Sequence, residues 1–275
     1  MPRELEKYEQ IERSINKKFR KDIWNKFITA INEYKLIEEN DCIGVCISGG
    51  KDSMILAVLF KMLQKYSKFP FSLRFIVMDP GYNPKNRKRI EENLKLLNIK
   101  AEIFETDIFK ITETVTESPC YLCARMRRGY LYSKAKSLGC NKIALGHHMS
   151  DVIETTLLGM MYGSQIQGML PRLKSTNFEG MELIRPLYCI LEESIIKWAE
   201  YNELSFIRCA CRFTEKTETD LGASKRLEIK ELITELKKTN PQIEYNIFKS
   251  IHNCNVDTLI EYKLNGETHS FLERF

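Results

Sequence analysis

The sequence predicts an α/β protein: a parallel sheet with helices on both faces, preceded by a basic helix and followed by a small helical region. Between residues 42 and 162, short apolar segments of strand character alternate with longer segments of helical character. That alternation is typical of a parallel sheet covered by crossover helices. Before the first strand there is only a helical pattern, and after Pro171 the alternation gives way to helical segments. We therefore expect three parts, 1–40, 41–190 and 191–275, with the sheet in the second.

The elements follow from hydrophobic spacing. Segment 13–36 predicts a basic amphipathic helix, because its apolar residues recur at helical spacing: Ile15, Phe19, Ile23, Phe27 and Ile31. Four strands are predicted at IGVCIS, SLRFIVM, AEIFET and KIALG, which start at residues 43, 72, 101 and 142. A helix is predicted after each strand, in the segments 52–66, 83–99, 124–138 and 151–162. Two further helices are predicted near 192–202 and 222–239.

Composition indicates a globular protein without a membrane segment. Hydrophobic residues make up 43% of the 275 residues, which is ordinary for a soluble domain and enough for a sizeable core. No apolar run approaches the ~20 residues that span a bilayer, and the charged N-terminus lacks the apolar core of a signal peptide. We therefore expect a cytoplasmic protein. In that reducing compartment its nine cysteines predict metal binding or catalysis rather than a set of disulfides.

Positive charge is concentrated in three clusters, although the net charge is only +5. Solvated helix faces would explain any one of them, but three together favour a polyanionic partner such as RNA. The clusters are Arg13, Lys17, Lys18, Arg20, Lys21 and Lys26; Lys85, Arg87, Lys88 and Arg89; and Arg125, Arg127, Arg128, Lys134 and Lys136. The candidate RNA-binding residues are Lys17, Lys18, Arg20, Lys21, Arg125 and Arg128.

The loop Ser48-Gly49-Gly50-Lys51-Asp52-Ser53 follows the first strand and opens the next helix. Ligands of open parallel sheets bind beyond the carboxyl ends of the strands. A helix N-terminus there offers free N–H groups to a phosphate, and glycines let the backbone approach it. Lys51 adds a mobile charge, the two serines add hydroxyl donors, and Asp52 or Ser53 can cap the helix. The loop predicts a phosphate site, whereas a tight turn with a capping Asp would leave Lys51 and both serines unexplained.

This loop is neither a Walker A motif nor a dinucleotide fingerprint. A Walker A motif has four residues between its first glycine and Gly-Lys-Ser/Thr, and no glycine stands at that distance here. SGGKDS instead resembles the PP-loop of the N-type ATP pyrophosphatases. The resemblance implies a HUP-like sheet, ATP bound at residues 48–53, and a substrate activated as an adenylate with loss of pyrophosphate.

A second segment, GHHMSDVIET from Gly146 to Thr155, lies at the same predicted sheet edge because it follows the fourth strand. Asp151 is placed there to bind Mg²⁺ or to orient the attacking group, although a helix N-cap would also explain it. His147 and His148 are more typical of packing or hydrogen-bonding residues. Met78 ends the second strand, where backbone groups could hold an adenine. The candidate ATP-binding residues are Ser48, Gly49, Gly50, Lys51, Asp52, Ser53, Met78 and Gly146.

Four cysteines form two pairs, Cys120-x-x-Cys123 and Cys209-x-Cys211. A tetrahedral zinc would use all four and be structural. An iron–sulfur cluster held by three would leave one iron open to an exogenous sulfide. The first pair runs directly into an arginine-rich segment at the predicted ATP edge, which favours the cluster. The other cysteines are expected to be small buried hydrophobic residues: Cys42, Cys46, Cys140, Cys189 and Cys254.

The chain resembles the tRNA 2-thiocytidine synthetase family in four motifs within residues 42–211: SGGKDS, CYLCARMRRG, LGHHMSDVIETTLLGMMYGSQIQGMLP and IRPLY. The resemblance implies an enzyme that uses ATP, Mg²⁺ and a 4Fe-4S cluster to thiolate a tRNA cytidine, at position 32. It places the cluster on Cys120, Cys123 and Cys209, with Cys211 as the alternative third ligand. The segment CRFTEKTETDLGASKRLEIK departs from the family pattern. The related 2-thiouridine enzymes carry extra zinc-binding cysteine pairs at both termini, which this sequence lacks; the comparison favours cytidine but leaves the target base open.

The resemblance also implies a reaction. The C2 oxygen of a base turned out of the tRNA loop attacks the α-phosphorus of ATP, and sulfide held at the open iron then displaces AMP from C2. The candidate catalytic residues are Lys51, Asp52, Arg127 and Asp151. The implied partners are tRNA and a sulfur donor, either a cysteine desulfurase or free sulfide, with a homodimer as the assembly.

Three alternatives stay open at this point. The same iron could remove sulfur from a thiolated base or nucleotide. A PP-loop tRNA ligase would join an amine instead of sulfur and give the cysteines no role, and a zinc-stapled RNA-binding protein would not turn over ATP. Thiolation requires one geometry, in which the 48–53 loop and the pair Cys120 and Cys123 open into the same cleft.

Overall fold

The structure is a computed structural model that describes residues 3–115, 119–207 and 225–274. In these ranges the strands are β1 (Cys42–Ile47), β2 (Ser72–Asp79), β3 (Ala101–Glu105), β4 (Lys142–Ala144), β5 (Arg172–Lys174), β6 (Glu182–Ile184), β7 (Glu261–Leu264) and β8 (Glu267–Ser270). The α-helices are α1 (Lys7–Asn16), α2 (Asn25–Glu33), α3 (Lys51–Tyr66), α4 (Pro84–Leu96), α5 (Ile108–Glu113), α6 (Pro119–Ser137), α7 (Met149–Gly163), α8 (Glu192–Tyr201), α9 (Lys225–Thr239) and α10 (Ile243–Ser250).

Six strands form one sheet in the order β3-β2-β1-β4-β6-β5. All neighbours are parallel except β5, which is antiparallel to β6. The predicted α/β fold class is confirmed, and β5 and β6 extend the four predicted strands. The central strand β1 is almost continuously apolar, with Ile43, Val45 and Ile47 at most 2% exposed, as expected when helices cover both faces. Strand order reverses at β1, so the carboxyl ends of β1 and β4 flank the crevice where such sheets bind ligands.

The N-terminal segment forms two helices where the apolar spacing predicts one over 13–36. Its apolar residues are at most 7% exposed: Ile15, Phe19, Ile23, Phe27 and Ile31. They recur every fourth residue, whereas an α-helix turns every 3.6 residues, so this stripe drifts around a straight helix. The wider π-helical turn Arg20–Trp24 compensates for that drift between α1 and α2. The single-helix prediction is therefore wrong, and basic residues 17–21 lie at the break.

Helix α3 is buried along much of its length, which fixes the loop before it. Seven consecutive residues, Met54 to Phe60, are at most 1% exposed. A helix that is apolar all round is packed on every side. Its first residue, Lys51, therefore has a fixed position relative to Ile47 at the end of β1.

The isolated cysteines divide between core and surface. Cys46 and Cys140 are buried, as predicted, while Cys42 and Cys189 are partly buried. Cys254 is exposed, so the prediction of a buried position is wrong for this residue. It lies in the connection after α10, outside any regular element.

The chain divides into two compact units. The first comprises Met1–Asp151 and Leu170–Ser224 and contains the six-stranded sheet. The second comprises Val152–Met169 and Lys225–Phe275 and contains most of α7 together with α9, α10 and the antiparallel β7-β8 hairpin. The three-part division made from the sequence stays a prediction. No helix in the described ranges is long and apolar enough to cross a bilayer.

Candidate active site

The two glycines of the loop after β1 serve different purposes. Gly49 has φ +86°, and a Cβ there would lie 2.6 Å from Cγ1 of Ile90, so both backbone conformation and packing require glycine. Gly50 has φ −78° and ψ 161°, which any residue adopts. A Cβ on Gly50 would find its nearest neighbour, Oγ of Ser48, at 3.7 Å, an ordinary contact. The fold alone therefore does not require glycine at position 50, and its small size leaves space beside the loop.

Two serines hold the loop in shape. Ser53 is buried, and its hydroxyl donates to the carbonyl of Gly50 at 2.9 Å and accepts from the N–H of Ser48 at 3.1 Å. The Ser48 hydroxyl lies 3.2 Å from Oγ of Ser53. Helix α3 has Gly50 as its N-cap residue and no side-chain cap. The prediction that Asp52 or Ser53 caps this helix is therefore wrong, and its first N–H groups retain the capacity to bind an anion.

Lys51 is held in an ion pair that the sequence does not predict. Its Nζ lies 2.8 Å from Oε1 of Glu192 and 3.2 Å from Oδ2 of Asp52. Burial alone would lower the pKa of Lys51, but the carboxylates of Asp52 and Glu192 outweigh burial and raise that pKa. Glu192 opens α8, and its backbone N–H donates to Oγ of Ser150 at 3.2 Å. The predicted mobile cation is thus charged and anchored.

His148 connects the loop after β1 to the loop after β4. It is 3% exposed, and its Nε2 lies 3.7 Å from Oδ1 of Asp52. Its Nδ1 accepts from the N–H of Asp151 at 3.3 Å, and its own N–H donates to Oδ2 of Asp151 at 3.0 Å. With Nδ1 accepting, the ring proton of a neutral His148 is on Nε2, which faces Asp52. His148 therefore lies between the two candidate carboxylates and is hydrogen-bonded to Asp151 alone, while Oδ1 of Asp52 is buried without a hydrogen-bond partner in the described residues.

The end of β2 approaches the same loop. Oδ1 of Asp79 accepts from the N–H groups of Gly81 and Tyr82, and Oδ2 pairs with Arg87 at 2.6 Å. This arrangement fixes the turn after β2 and brings Tyr82 to the loop, where its hydroxyl donates to the carbonyl of Ser48 at 3.1 Å. The turn therefore forms one wall of the space above β1.

A cavity of about 420 Å³ lies at this edge of the sheet. It collects sequence-predicted residues from four separate segments: Ser48, Asp52, Ser53, Met78, Arg127, Arg128, Gly146 and Asp151. Tyr82 and His147 line it as well, which the sequence does not predict. Lys51, Gly49, Gly50, Arg125 and Cys123 are not among its lining residues. A larger cavity, about 920 Å³, lies within the second unit and contains no candidate residue.

Helix α6 brings arginines to the cavity. Arg127 has a buried Nε with no hydrogen-bond partner, and its guanidinium lies 5.4 Å from the ring centroid of Phe109. Arg128 is exposed. Ala124 and Leu131 line the cavity between and beside them. The segment that directly follows Cys123 therefore faces the same cavity as the loop after β1.

The cysteine pairs are described only in part. Cys120 and Cys123 lie three residues apart in α6. Cys123 is partly buried, whereas the side chain of Cys120, and Cys209 and Cys211 altogether, lie outside the described residues. Within the described ranges, no group of three His, Cys, Asp or Glu side chains could hold a metal.

The candidate RNA-binding residues are exposed: Lys17, Lys18, Arg20, Lys21, Arg125 and Arg128. The first four lie at the break between α1 and α2, where Nζ of Lys18 sits 3.8 Å from the ring centroid of Tyr201. In the described part of the chain, none of the six forms an ion pair. Arg87 and Lys134 of the other predicted basic positions do, with Asp79 and Glu102 respectively.

Comparison with known proteins gives the family. A family model described as a PP-loop domain matches residues 9–212. Over 257 residues the chain is 35% identical to the tRNA-cytidine(32) 2-sulfurtransferase of Vibrio campbellii, covering 91% of this chain and 82% of that protein. Over 246 residues it is 35% identical to the protein of the same name from Geotalea uraniireducens, covering 88% of this chain and 95% of that protein.

A solved structure shares the fold. The U34-tRNA thiolase NcsA from Methanococcus maripaludis, solved with its 4Fe-4S cluster, matches with a TM-score of 0.65 and 22% identity, over 84% of this chain and 77% of that chain. At that identity the likeness establishes the fold alone. The sequence relatives and the family model go further, since they match most of the chain. This chain belongs to the tRNA-cytidine(32) 2-sulfurtransferase family of PP-loop enzymes.

Proposed function

We propose that this protein replaces the C2 oxygen of cytidine 32 in tRNA by sulfur, with ATP as the activating substrate. The observation that carries the proposal is one cavity lined both by the loop residues Ser48, Asp52 and Ser53 and by Ala124 and Arg127, which follow CYLC. A base bound there would meet the nucleotide on one side and α6 on the other. The relatives from Vibrio campbellii and Geotalea uraniireducens are both named tRNA-cytidine(32) 2-sulfurtransferase, after the same reaction.

The loop after β1 fits a triphosphate. Gly50 leaves space, α3 starts without a side-chain cap, and Lys51 supplies a charged ammonium. We place the adenine toward Met78, at the end of the neighbouring strand β2. Asp52 and Asp151 would hold Mg²⁺, because carboxylate oxygens are the ligands it prefers. The ion would neutralise phosphate charge there.

The CYLC segment fits two ligands of an iron–sulfur cluster. Cys120 and Cys123 lie three residues apart in α6, and Cys123 is partly buried. The proposed third ligand is Cys209, with Cys211 as the alternative. Bound on these cysteines, a 4Fe-4S cluster would supply sulfide for the reaction, and the Methanococcus maripaludis thiolase carries a cluster of that type.

The chain's own residues have distinct tasks in the first step. The N-terminus of α3 and Lys51 stabilise negative charge as the C2 oxygen of the base bonds to the α-phosphorus and pyrophosphate leaves. His148 holds Asp151 through two hydrogen bonds and places its Nε2 3.7 Å from Oδ1 of Asp52. Arg127 is proposed to orient the base, since its Nε has no protein partner in the described residues.

The second step exchanges oxygen for sulfur without net electron transfer. Sulfur at the oxidation level of sulfide bonds to C2, and AMP leaves with the original oxygen. Adenylation is needed because it converts that oxygen into a good leaving group. Closing such a site to water would protect the adenylate from hydrolysis.

The partners follow from the same scheme. tRNA phosphates would bind the exposed cations Lys17, Lys18, Arg20, Lys21, Arg125 and Arg128. The sulfur donor is a cysteine desulfurase or free sulfide, and the reaction takes place in the cytoplasm. A homodimer stays a prediction.

The test compares Cys123→Ser with Cys254→Ser, a matched control at an exposed cysteine. Each protein is purified anaerobically and analysed for iron, acid-labile sulfide and zinc. It is then incubated with ATP, sulfide and unmodified tRNA, and thiolated nucleosides and AMP are measured. We expect the wild-type and Cys254→Ser proteins to contain iron and to form 2-thiocytidine and AMP. Cys123→Ser should lose iron and thiolation while it still binds ATP.

Other results would favour the alternatives. Zinc without iron, and no AMP, would indicate a zinc-stapled RNA-binding protein. Full tRNA modification by Cys123→Ser would indicate a ligase without a role for the cysteines. Loss of sulfur from thiolated tRNA under the same conditions would indicate desulfuration.

A further inference from the structure

The residue Arg185 of the IRPLY segment has no task in the scheme above. It directly follows Ile184, the last residue of β6, and therefore lies at the carboxyl edge of the sheet. Its Nε is buried and has no hydrogen-bond partner, while one Nη donates to the carbonyl of Leu170. Arg185 as a whole is partly buried, but a buried N–H without a partner costs free energy unless another group pairs with it.

No carboxylate of the described residues forms an ion pair with Arg185. Burial lowers the pKa of Arg185 to about 10; Tyr188 and Tyr132 oppose that decrease, Arg128 adds to it, and Asp151, which forms no ion pair with Arg185, opposes it. The guanidinium is thus still charged at neutral pH. Its missing partner is an anion, and the described chain does not provide one.

A second guanidinium, that of Arg128, lies about one helical turn before Tyr132 on α6, and Tyr132 belongs to the same buried cluster as Leu183, two residues before Arg185. Arg128 lines the active-site cavity and also forms no ion pair within the described ranges. The buried side chain of Tyr132 is close enough to both arginines for each to affect its phenol electrostatically. Two like charges held near one another without a counter-ion repel, so an anion that binds between them gains from both.

The position of Arg185 in the sheet separates it from the nucleotide. Along the carboxyl edge of the sheet, the strand order β2-β1-β4-β6 gives a corresponding order of residues. It runs from Met78 at the end of β2, through the 48–53 loop after β1 and Asp151 after β4, to Arg185 after β6. Since neighbouring strands lie about 4.8 Å apart, β6 is about 10 Å from β1. The proposed adenine site is on the far side of β1 from β6. Arg185 is not itself a lining residue of the cavity, but strand order puts it on the side of β1 opposite the proposed adenine site, which is the side left for the acceptor.

We propose that Arg185 and Arg128 form an anion subsite that binds one phosphodiester of the RNA acceptor, next to the base that is modified. The inference rests on the proposed function, since it names the group that holds the acceptor in that site. The ligand is a phosphate monoanion with two free oxygens, which a guanidinium can bind through paired hydrogen bonds. The subsite would fix the target nucleotide of the tRNA relative to the ATP bound at the 48–53 loop.

The test uses Arg185→Gln, Arg128→Gln and Arg185→Lys in the full-length protein purified anaerobically. The matched control is Arg74→Gln, which removes an exposed arginine near the amino end of β2. Equilibrium binding of tRNA is measured over a series of salt concentrations. ATP binding and thermal unfolding are measured on the same samples.

We expect each Gln variant to weaken tRNA binding about tenfold and to lower the slope of log K against log salt by about 0.7–0.9, one phosphate contact. Arg185→Lys should restore most of that slope, because it keeps the charge. ATP affinity should stay within about twofold, and Arg74→Gln should match the wild type. If Arg185→Gln does not fold, Arg128→Gln and Arg185→Lys still report the slope.

Three results would overturn the subsite. One is that the slope of log K against log salt stays unchanged in Arg128→Gln and in every folded Arg185 variant, while only the melting temperature falls; the arginines would then have a structural role alone. Another is a loss of ATP affinity with intact tRNA binding, which would assign the arginines to the triphosphate. A wild-type protein that neither binds nor thiolates tRNA would overturn the proposed function together with the subsite, whereas thiolation by wild type and variants alike would overturn the subsite alone.

Discussion

At the residue scale, the contact between Lys51 and Glu192 defines the electrostatic state of the loop after β1. Both side chains are about one-quarter exposed, and the 2.8 Å pair is complemented by Asp52 at 3.2 Å. A phosphate that binds this loop has to compete with the two carboxylates for one ammonium. The same pair also holds that ammonium in one place. Glu192 is therefore a positioning residue with opposed effects on binding and on chemistry.

Replacing this carboxylate should separate the two effects. In Glu192→Gln, we expect the KM for ATP to fall by up to about fivefold. The carboxylate of Glu192 competes with the triphosphate for Lys51 and repels it, so removing that charge should strengthen ATP binding by about 1 kcal/mol. We expect kcat for AMP formation to fall at the same time, since Lys51 loses its anchor. The matched control is Glu193→Gln, which removes the neighbouring carboxylate that pairs with Lys197 at 2.5 Å. Initial-rate kinetics give KM and kcat, and thermal unfolding shows whether the variants are folded. A higher KM for ATP in Glu192→Gln would contradict the view that Glu192 competes with ATP for Lys51.

At the element scale, the carboxyl end of β4 and the start of α3 approach each other through a glycine. A Cβ added at Gly146 would lie 3.1 Å from the backbone C of Asp52 and from the N of Ser53. Backbone atoms cannot move aside as the end of a flexible side chain can. The close approach brings the two loops of the crevice together, and with them Asp52 and Asp151.

An alanine at this position should separate the two loops. We expect Gly146→Ala to cost about 1–3 kcal/mol of unfolding free energy and to weaken ATP binding about tenfold or more. The control is Gly129→Ala in α6, where a Cβ would meet nothing within 4 Å. That change should stabilise the protein by about 0.5–1 kcal/mol through the lower entropy of the unfolded chain. Urea unfolding and ATP titration measure both; unchanged ATP affinity in Gly146→Ala would show that the approach is not needed for binding.

The elements that could be predicted are those whose pattern is local. Strands β1 to β4 each carry an apolar run that is complete within a few residues, and the predicted parallel sheet that contains them is confirmed, although its strand order was not predicted. Strands β5 and β6 have three residues each, as β4 does, but no helix lies between them in the chain and only their pairing across the sheet defines them. The break between α1 and α2 could not be predicted in the same way. Apolar residues at every fourth position indicate a helix, but they do not show where the helix changes its winding to keep those residues in the core.

The candidate site divides in the same way. The loop 48–53, Asp151 and Met78 could be placed together because topology alone brings strand ends to one edge. Lys51 and Glu192 are 141 residues apart, and nothing in either local sequence points to the other. From the sequence His148 is an ordinary turn residue. Only the structure shows that its Nδ1 accepts a hydrogen bond from Asp151 and that its Nε2 lies 3.7 Å from Asp52. Long-range pairing of polar side chains is therefore what the sequence does not reveal.

At the scale of the whole molecule, the structure shows which cations of the three basic clusters remain available to bind a polyanion. Arg87 pairs with Asp79 and Glu91, and Lys134 pairs with Glu102, so much of that charge is neutralised within the chain. The cations at the break between α1 and α2, and those that follow CYLC, form no ion pairs among the described residues. A modest net charge of +5 thus leaves two concentrated groups of unpaired cations, which suits a long polyanion better than a uniform surface would.

The second unit has its own buried charge. The carboxylate of Glu154, on α7, is 3% exposed and lies 2.5 Å from Nε of Arg226 and 3.6 Å from Nζ of Lys230, both on α9. The two cations are about half exposed, so they keep most of their solvation. The buried carboxylate is the group that depends on the pairing, and it joins α7 to α9 within the unit.

Glu154→Gln should therefore loosen the second unit alone. We expect a loss of about 1–3 kcal/mol in the local stability of that unit, because the buried group keeps its volume but loses its charge pairing. Hydrogen exchange measured by mass spectrometry should become faster in α9 (Lys225–Thr239), while β1 and β2 stay protected and ATP affinity stays unchanged. The matched control is Glu235→Gln, which breaks an exposed pair with Lys238 at 2.5 Å and should change nothing measurable. Equal acceleration in β1, β2 and α9 would mean that the chain unfolds as one cooperative body, and the two compact units would then not be independent in stability.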